Sequence, residues 1–149
     1  MEENVKIGKY ILRYAVVHLL LLVGISIILG LLEIEPNSGV TIGALMGAAM
    51  TVIMKFIQDN KRPPNKSEKN YLAWLSLLVS IAISLLLSSI VLFFSGEVRE
   101  VFEMLASIGY FIFVFILLFV SVVCFCVLWF SYGYFAKKQY EAMLKHGKL

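Results

Sequence analysis

Lys55-Phe56-Ile57-Gln58-Asp59-Asn60-Lys61-Arg62-Pro63-Pro64-Asn65-Lys66-Ser67-Glu68-Lys69-Asn70 is the one long hydrophilic stretch between two very apolar halves of this chain. It holds five of the thirteen Lys and Arg residues and two of the three prolines. Two adjacent prolines cannot continue a helix, because the ring removes an N–H and crowds the preceding turn. The stretch therefore reads as the break between two long helices. Around it the chain is 60% hydrophobic and 15% charged over 149 residues. Soluble domains lie near 45–50% apolar and about 25% charged. A helix crosses a hydrocarbon core of about 30 Å with about 20 apolar residues, and four such runs are present. The expected fold class is an all-α membrane protein with four transmembrane helices in an antiparallel bundle, forming one integral membrane domain over residues 1–149.

The first span is read over 10–32, with Arg13, Tyr14 and His18 in its early turns. It is about twice the length of a signal-peptide apolar region and ends without a small-residue cleavage site, so it is expected to stay in the protein. The acidic turn Glu33-Ile34-Glu35-Pro36-Asn37-Ser38 follows, with Ser38 read as an N-cap. The second span, 39–57, has glycines at 39, 43 and 47. Spacing of four places Gly39, Gly43 and Gly47 on one helix face, and small residues let helices approach closely in lipid. This span is read as the buried centre of the bundle.

Within the cytoplasmic loop 58–70, Asn65 and Glu68 have the spacing of a capping box, which starts the third helix near Lys66. The third span is read over 71–94, with Tyr71 and Trp74 at headgroup depth. Its serines at 76, 80, 84 and 88 form a second small-residue ladder. Ser76, Ser80, Ser84 and Ser88 are expected to pack against the glycines of the second span. Residues 95–103 read as an acidic connection. The fourth apolar run, 104–135, exceeds what a bilayer requires; it either tilts or begins in the interface and projects beyond it as one continuous helix. It ends in an aromatic belt including Trp129, Phe130, Tyr132, Tyr134 and Phe135. A basic cytoplasmic tail, 136–149, follows, with Gly147 as its helix stop.

Charge placement predicts the orientation. The leader with Arg13, the loop and the tail carry twelve basic and five acidic residues, about +7; the two short turns on the other side carry Arg99 and five glutamates, about −4. Lys and Arg are enriched in cytoplasmic loops, so both termini are expected in the cytoplasm. The basic charges suit contact with the lipid bilayer surface, and nothing in their placement suggests nucleic acid.

The loop resembles the signature of a family of short, four-span bacterial inner-membrane proteins known by locus tags of the ABZJ type. In that family a Phe near the end of the second span is followed by an Arg, a Pro two positions later, a Thr, and a Glu three further on. Phe56, Arg62, Pro64, Asn65 and Glu68 stand at those places, with Asn65 departing from the Thr. The family's fourth span ends in a Tyr-Gly and a basic stretch, matched by Tyr132-Gly133-Tyr134 and Lys137-Lys138. The resemblance implies a bacterial inner-membrane protein and implies no activity.

Ionisable groups at hydrocarbon depth are costly and draw functional suspicion. Arg13 is shallow enough to snorkel to the headgroups. His18 lies about 13 Å in by helical rise, one turn beyond Tyr14, where it either handles a proton or hydrogen-bonds to a serine of the third span. Arg13, Tyr14 and His18 form the candidate intramembrane polar site. Cys124 and Cys126 stand two apart on a helix, do not face each other, and read as packing residues. No metal, cofactor or catalytic constellation is legible. The spans contain no acidic residue, unlike most secondary transporters.

Three expectations follow. The first is a non-catalytic inner-membrane binding protein, of the kind that gives immunity by neutralising a membrane-acting bacterial toxin. The alternative is a small transporter or channel subunit for a cation or lipophilic compound; a further one is an assembly or regulatory subunit of a membrane complex. The glycine ladder also suits contact with a second copy, a homo-oligomer.

Overall fold

A computed structural model describes residues 6–34, 38–96 and 98–147. Ser38 is described in its backbone only, so its expected capping role lies outside what is described, as do Glu35, Pro36, Asn37 and Glu97. Four helices are long and apolar enough to cross a membrane, and the chain is a multi-pass, all-α protein. They are α1 (Ile7–Leu31), α2 (Ser38–Asn60), α3 (Lys66–Ser95) and the helix that begins as α5 (Tyr110–Phe130).

Each boundary has a local cause. At the end of α1, Glu33 adopts a left-handed φ of 55° and the Ile34 N–H returns to the Leu29 carbonyl at 3.0 Å. Helix α2 closes at Asn60, whose side-chain amide donates to the Phe56 carbonyl at 2.8 Å. Lys61 then turns left-handed, φ 53°, two residues before the proline pair. Helix α3 opens with the expected capping box: the Glu68 N–H donates to Asn65 Oδ1, and the Asn65 N–H to Glu68 Oε2, both at 2.8 Å. It closes on Gly96, φ 73°.

The fourth apolar run differs from the expected single segment. Its first residues belong to a separate helix, α4 (Val98–Ile108), which also absorbs most of the acidic connection. Val98, Val101, Phe102, Leu105 and Ile108 form one side of α4 and Arg99, Glu100 and Glu103 the other, the pattern of a helix lying in the interface. Gly109, at φ 83°, makes the corner into α5, a conformation that a side chain would strain. At its other end α5 runs without interruption through a π-helical turn, Ser131–Phe135, into α6 (Ala136–Lys145). The helix is thus continuous from Tyr110 to Lys145, and the left-handed Gly147 follows its end, as expected.

Helix α1 packs against both α2 and α3, and α5 does so from the opposite side. Helices α2 and α3 therefore occupy opposite corners. The expected packing of the serine ladder on the glycine ladder is not formed. The tyrosines of α1 are the reason: Tyr10 and Tyr14, both fully buried, wedge between α2 and α3. Helix α2 is the most buried of the four spans, as expected, but its contact surface is Ala44, Ala48, Ala49, Val52 and Phe56 rather than the glycines. Gly47 meets a close neighbour, with Leu21 Cδ1 3.0 Å from where a Cβ would stand, whereas Gly43 has nothing within 4 Å.

The core lies toward one end of the bundle. Tyr10, Tyr14, Phe56, Leu72, Leu128, Tyr132 and Met143 are all buried, and they bring together the start of α1, the 61–65 loop and α6. Toward the opposite end α3 and α5 expose most of their side chains. The basic end is packed, and the acidic end is open.

Candidate intramembrane site

Tyr10, Tyr14 and His18 recur every four residues along α1 and point to its buried side. The Tyr14 and His18 rings stack, 5.4 Å between centroids and 17° apart. Arg13 points the other way, is exposed, and lies beside Lys9 and Lys55 near the basic end. The structure thus separates the three residues of the candidate polar site: Tyr14 and His18 share an interior, and Arg13 does not.

Tyr14 claims the serine that His18 was expected to take. Ser80 Oγ donates to the Ser76 carbonyl at 2.8 Å, so the Tyr14 hydroxyl, also 2.8 Å away, donates to Ser80. One turn earlier Ser76 Oγ and the Tyr132 hydroxyl are 2.8 Å apart. These bonds tie α1 and the π-turn to opposite ends of one serine pair on α3. Ser76 and Ser80 are buried, whereas Ser84 and Ser88 are exposed. Only half of the ladder is interior, and it is used for hydrogen bonds rather than for close backbone approach.

His18 is fully buried, and among the described residues neither ring nitrogen has a hydrogen-bond partner. The Ala44 carbonyl lies near it without reaching hydrogen-bond geometry. An orphaned buried polar group costs about 1–3 kcal/mol, which a hydrogen-bonding group reaching this imidazole would offset. It faces a cavity of about 390 Å³ between α1, α2, α3 and α5. Leucine, isoleucine, valine and phenylalanine side chains make most of its wall, with Thr41, Ser84, Ser121 and Cys124 as polar points. Ile81, Leu85 and Leu117 line it and are themselves exposed, so it opens sideways into the apolar belt. A mostly apolar cavity with a few convergent polar groups is the usual form of a small-ligand site. A neutral imidazole offers one donor and one acceptor to whatever enters.

Cys126 is exposed and Cys124 half-buried, and both are free thiols. Among the described residues no group of three His, Cys, Asp or Glu side chains could hold a metal ion.

The loop residues assemble at the packed end. Arg62 makes a two-pronged pair with Glu68, at 2.7 and 2.8 Å, and lies over the Phe56 ring at 5.8 Å. Glu68 is thereby shared between Arg62 and the Asn65 N–H. Arg62 first, then the Asn65 N–H, hold its carboxyl below the usual range against the opposing effect of burial. Phe56, Arg62, Asn65 and Glu68 form one clamp across the hairpin, and Pro64 sets the turn between them.

Asp59, the one aspartate of the chain, was not legible as a site. It lies beyond the apolar part of α2 and accepts from Lys55 at 2.8 Å, Lys9 at 3.0 Å and Tyr10 at 3.2 Å. Lys55, then Lys9, pull its carboxyl down to about 2. The Asn60 amide donates to the same Tyr10 hydroxyl at 2.9 Å. This cluster fastens the start of α1 to the end of α2. The solitary acid among basic residues was its only signal.

No protein-family model, curated protein or solved structure matches this chain.

Proposed function

We propose that this chain is a non-catalytic binding protein of the bacterial inner membrane, with the packed basic end and both termini in the cytoplasm. Its partner is received inside the bilayer, in the open half of the bundle. The observation that carries this reading is the sideways-open cavity with the unpartnered His18 at its wall. An apolar segment of a membrane-acting toxin, bearing one hydrogen-bonding group, meets both requirements of such a site, and the chain then acts as an immunity protein. The orientation rests on the basic bias of the leader with Arg13, the 58–70 stretch and the tail. The resemblance of the Phe56, Arg62, Pro64, Asn65 and Glu68 loop to the four-span family supports the bacterial membrane.

The second reading is a small transporter or channel subunit for a cation or lipophilic compound. The same buried imidazole favours it, since His18, Ser80 and Ser84 line one cavity and offer polar groups within the apolar interior.

A growth assay separates the two. Cells producing the protein are challenged with a toxin encoded beside it and, separately, with cationic drugs. Protection against the toxin that is lost on filling the cavity with Ser84→Leu supports the binder. Drug resistance that disappears in His18→Ala supports the transporter. Growth unchanged in every arm removes both. For orientation, a reporter active only outside the cytoplasm is expected to work when inserted at Asn37 and to fail at Asn65; the reverse pattern refutes the assignment.

A further inference from the structure

Where the first turn of α3 meets the π-turn, Lys66, Lys69 and Lys137 line a second cavity, of about 430 Å³, together with Trp129, Gly133 and Tyr134. None of its lining residues is acidic. Glu68, the acid nearest in sequence, is already engaged by Arg62 and the Asn65 N–H. Among the described residues none of the three lysines has an ion-pair partner. Burial and the charges of Lys66 and Lys137 all act against the Lys69 ammonium. The Trp129 ring, with its centroid 3.4 Å from the ammonium, makes a favourable contact. Gly133 leaves room for this arrangement, since a Cβ there would stand 3.3 Å from Lys69 Cδ. Three cations are thus gathered without a counterion, at the depth where the aromatic belt marks the headgroups.

The wall below the lysines is apolar. Trp129 donates to Asn70 Oδ1 at 3.1 Å, and one turn deeper on the same two helices Trp74 packs on Phe125, 4.7 Å between centroids. The site therefore offers positive charge above and an exposed aromatic surface beneath. A free anion would use only the first.

We propose that Lys66, Lys69 and Lys137 bind the phosphate of an anionic phospholipid headgroup, with the lipid's chains against Trp129, Trp74 and Phe125. Basic pockets between spans on the cytoplasmic side are a known form of such recognition. The site holds lipid beside the π-turn, away from the His18 cavity, and does not depend on what enters that cavity.

The test uses the full chain reconstituted in vesicles. Trp74 and Trp129 are its two tryptophans, so Trp74→Phe, which keeps an aromatic ring in the wall and serves as the background for every variant, leaves Trp129 as the sole tryptophan reporter. Brominated phosphatidylglycerol is expected to quench Trp129 at lower mole fraction than brominated phosphatidylcholine. That preference, taken as a ratio within each variant, falls about fivefold in each of Lys66→Gln, Lys69→Gln and Lys137→Gln. It survives in Lys69→Arg, and in Lys138→Gln, a neighbouring lysine that does not line the cavity. Inorganic phosphate leaves the quenching unchanged. Equal quenching by the two lipids overturns the proposal. So does a loss in Lys138→Gln as large as in Lys137→Gln, which marks diffuse surface attraction. Displacement of the lipid by inorganic phosphate also overturns it and marks a free-anion site.

Discussion

Gly47 and Gly43 look equivalent in the sequence and stand in different surroundings in the bundle, so replacing each by leucine tests the helix arrangement directly. A Cβ on Gly47 would lie 3.0 Å from Leu21 Cδ1, whereas carbon atoms rest at about 3.5–4.0 Å. Alanine needs only a small retreat of a flexible leucine tip, offset by about 1 kcal/mol of helix preference over glycine. Leucine places three further carbons into the α1–α2 contact, and overpacking of that kind costs about 1–3 kcal/mol. At Gly43 there is nothing within 4 Å, so the new side chain enters lipid. The change in helix preference is the same at both positions and cancels. Gly47→Leu is therefore expected to be about 2 kcal/mol less stable than Gly43→Leu, measured as SDS-induced unfolding in mixed micelles followed by circular dichroism. Equal midpoints, or greater damage at Gly43, would refute the corner placement of α2 and restore close packing along the glycine ladder.

Tyr14→Phe and Ser80→Ala, combined in a double-mutant cycle in the same assay, are expected to show a coupling of about 0.6–1.7 kcal/mol; no coupling would mean that the bond is not formed in lipid. Lys61→Gly relieves a left-handed side-chain residue and is expected to stabilise by about 0.5–1 kcal/mol, so a lower unfolding midpoint contradicts the turn geometry. Acid sensitivity follows from the two carboxyls at the packed end. Both are held below their unfolded range, so their contribution is complete above it and is lost as the pH falls through the folded values. For Asp59 that window runs from about 4 down to about 2. Unfolding midpoints are expected to drop across it, and Asp59→Asn to remove its share of the drop; an unaltered pH profile in that variant refutes the cluster with Lys55 and Lys9.

The four long apolar helices, the capping box at Asn65 and Glu68, and the helical tail that ends at Gly147 all follow from local chemistry, and so were legible from residue order. Apolar run length sets a span, proline and a cap set its limits, and none of these depends on what packs alongside. Gly109 could have marked the break between α4 and α5. It stands alone inside a long apolar run, where glycine is also tolerated within membrane helices.

Which faces meet was decided only in three dimensions. Spacing of four makes the glycines one stripe and the serines another, but a stripe carries no address. Tyr14 reaches Ser80 because the tyrosines of α1 fill the space between α2 and α3, and Ser76 reaches Tyr132 because the π-turn packs against α3. That same wedge leaves His18 without a partner beside an open cavity. Asp59, unremarkable in the sequence, likewise fastens the end of α2 to Lys9 and Tyr10 at the start of α1. Burying a bulky group that must also hydrogen-bond requires one particular set of neighbours, and those neighbours come from distant parts of the chain.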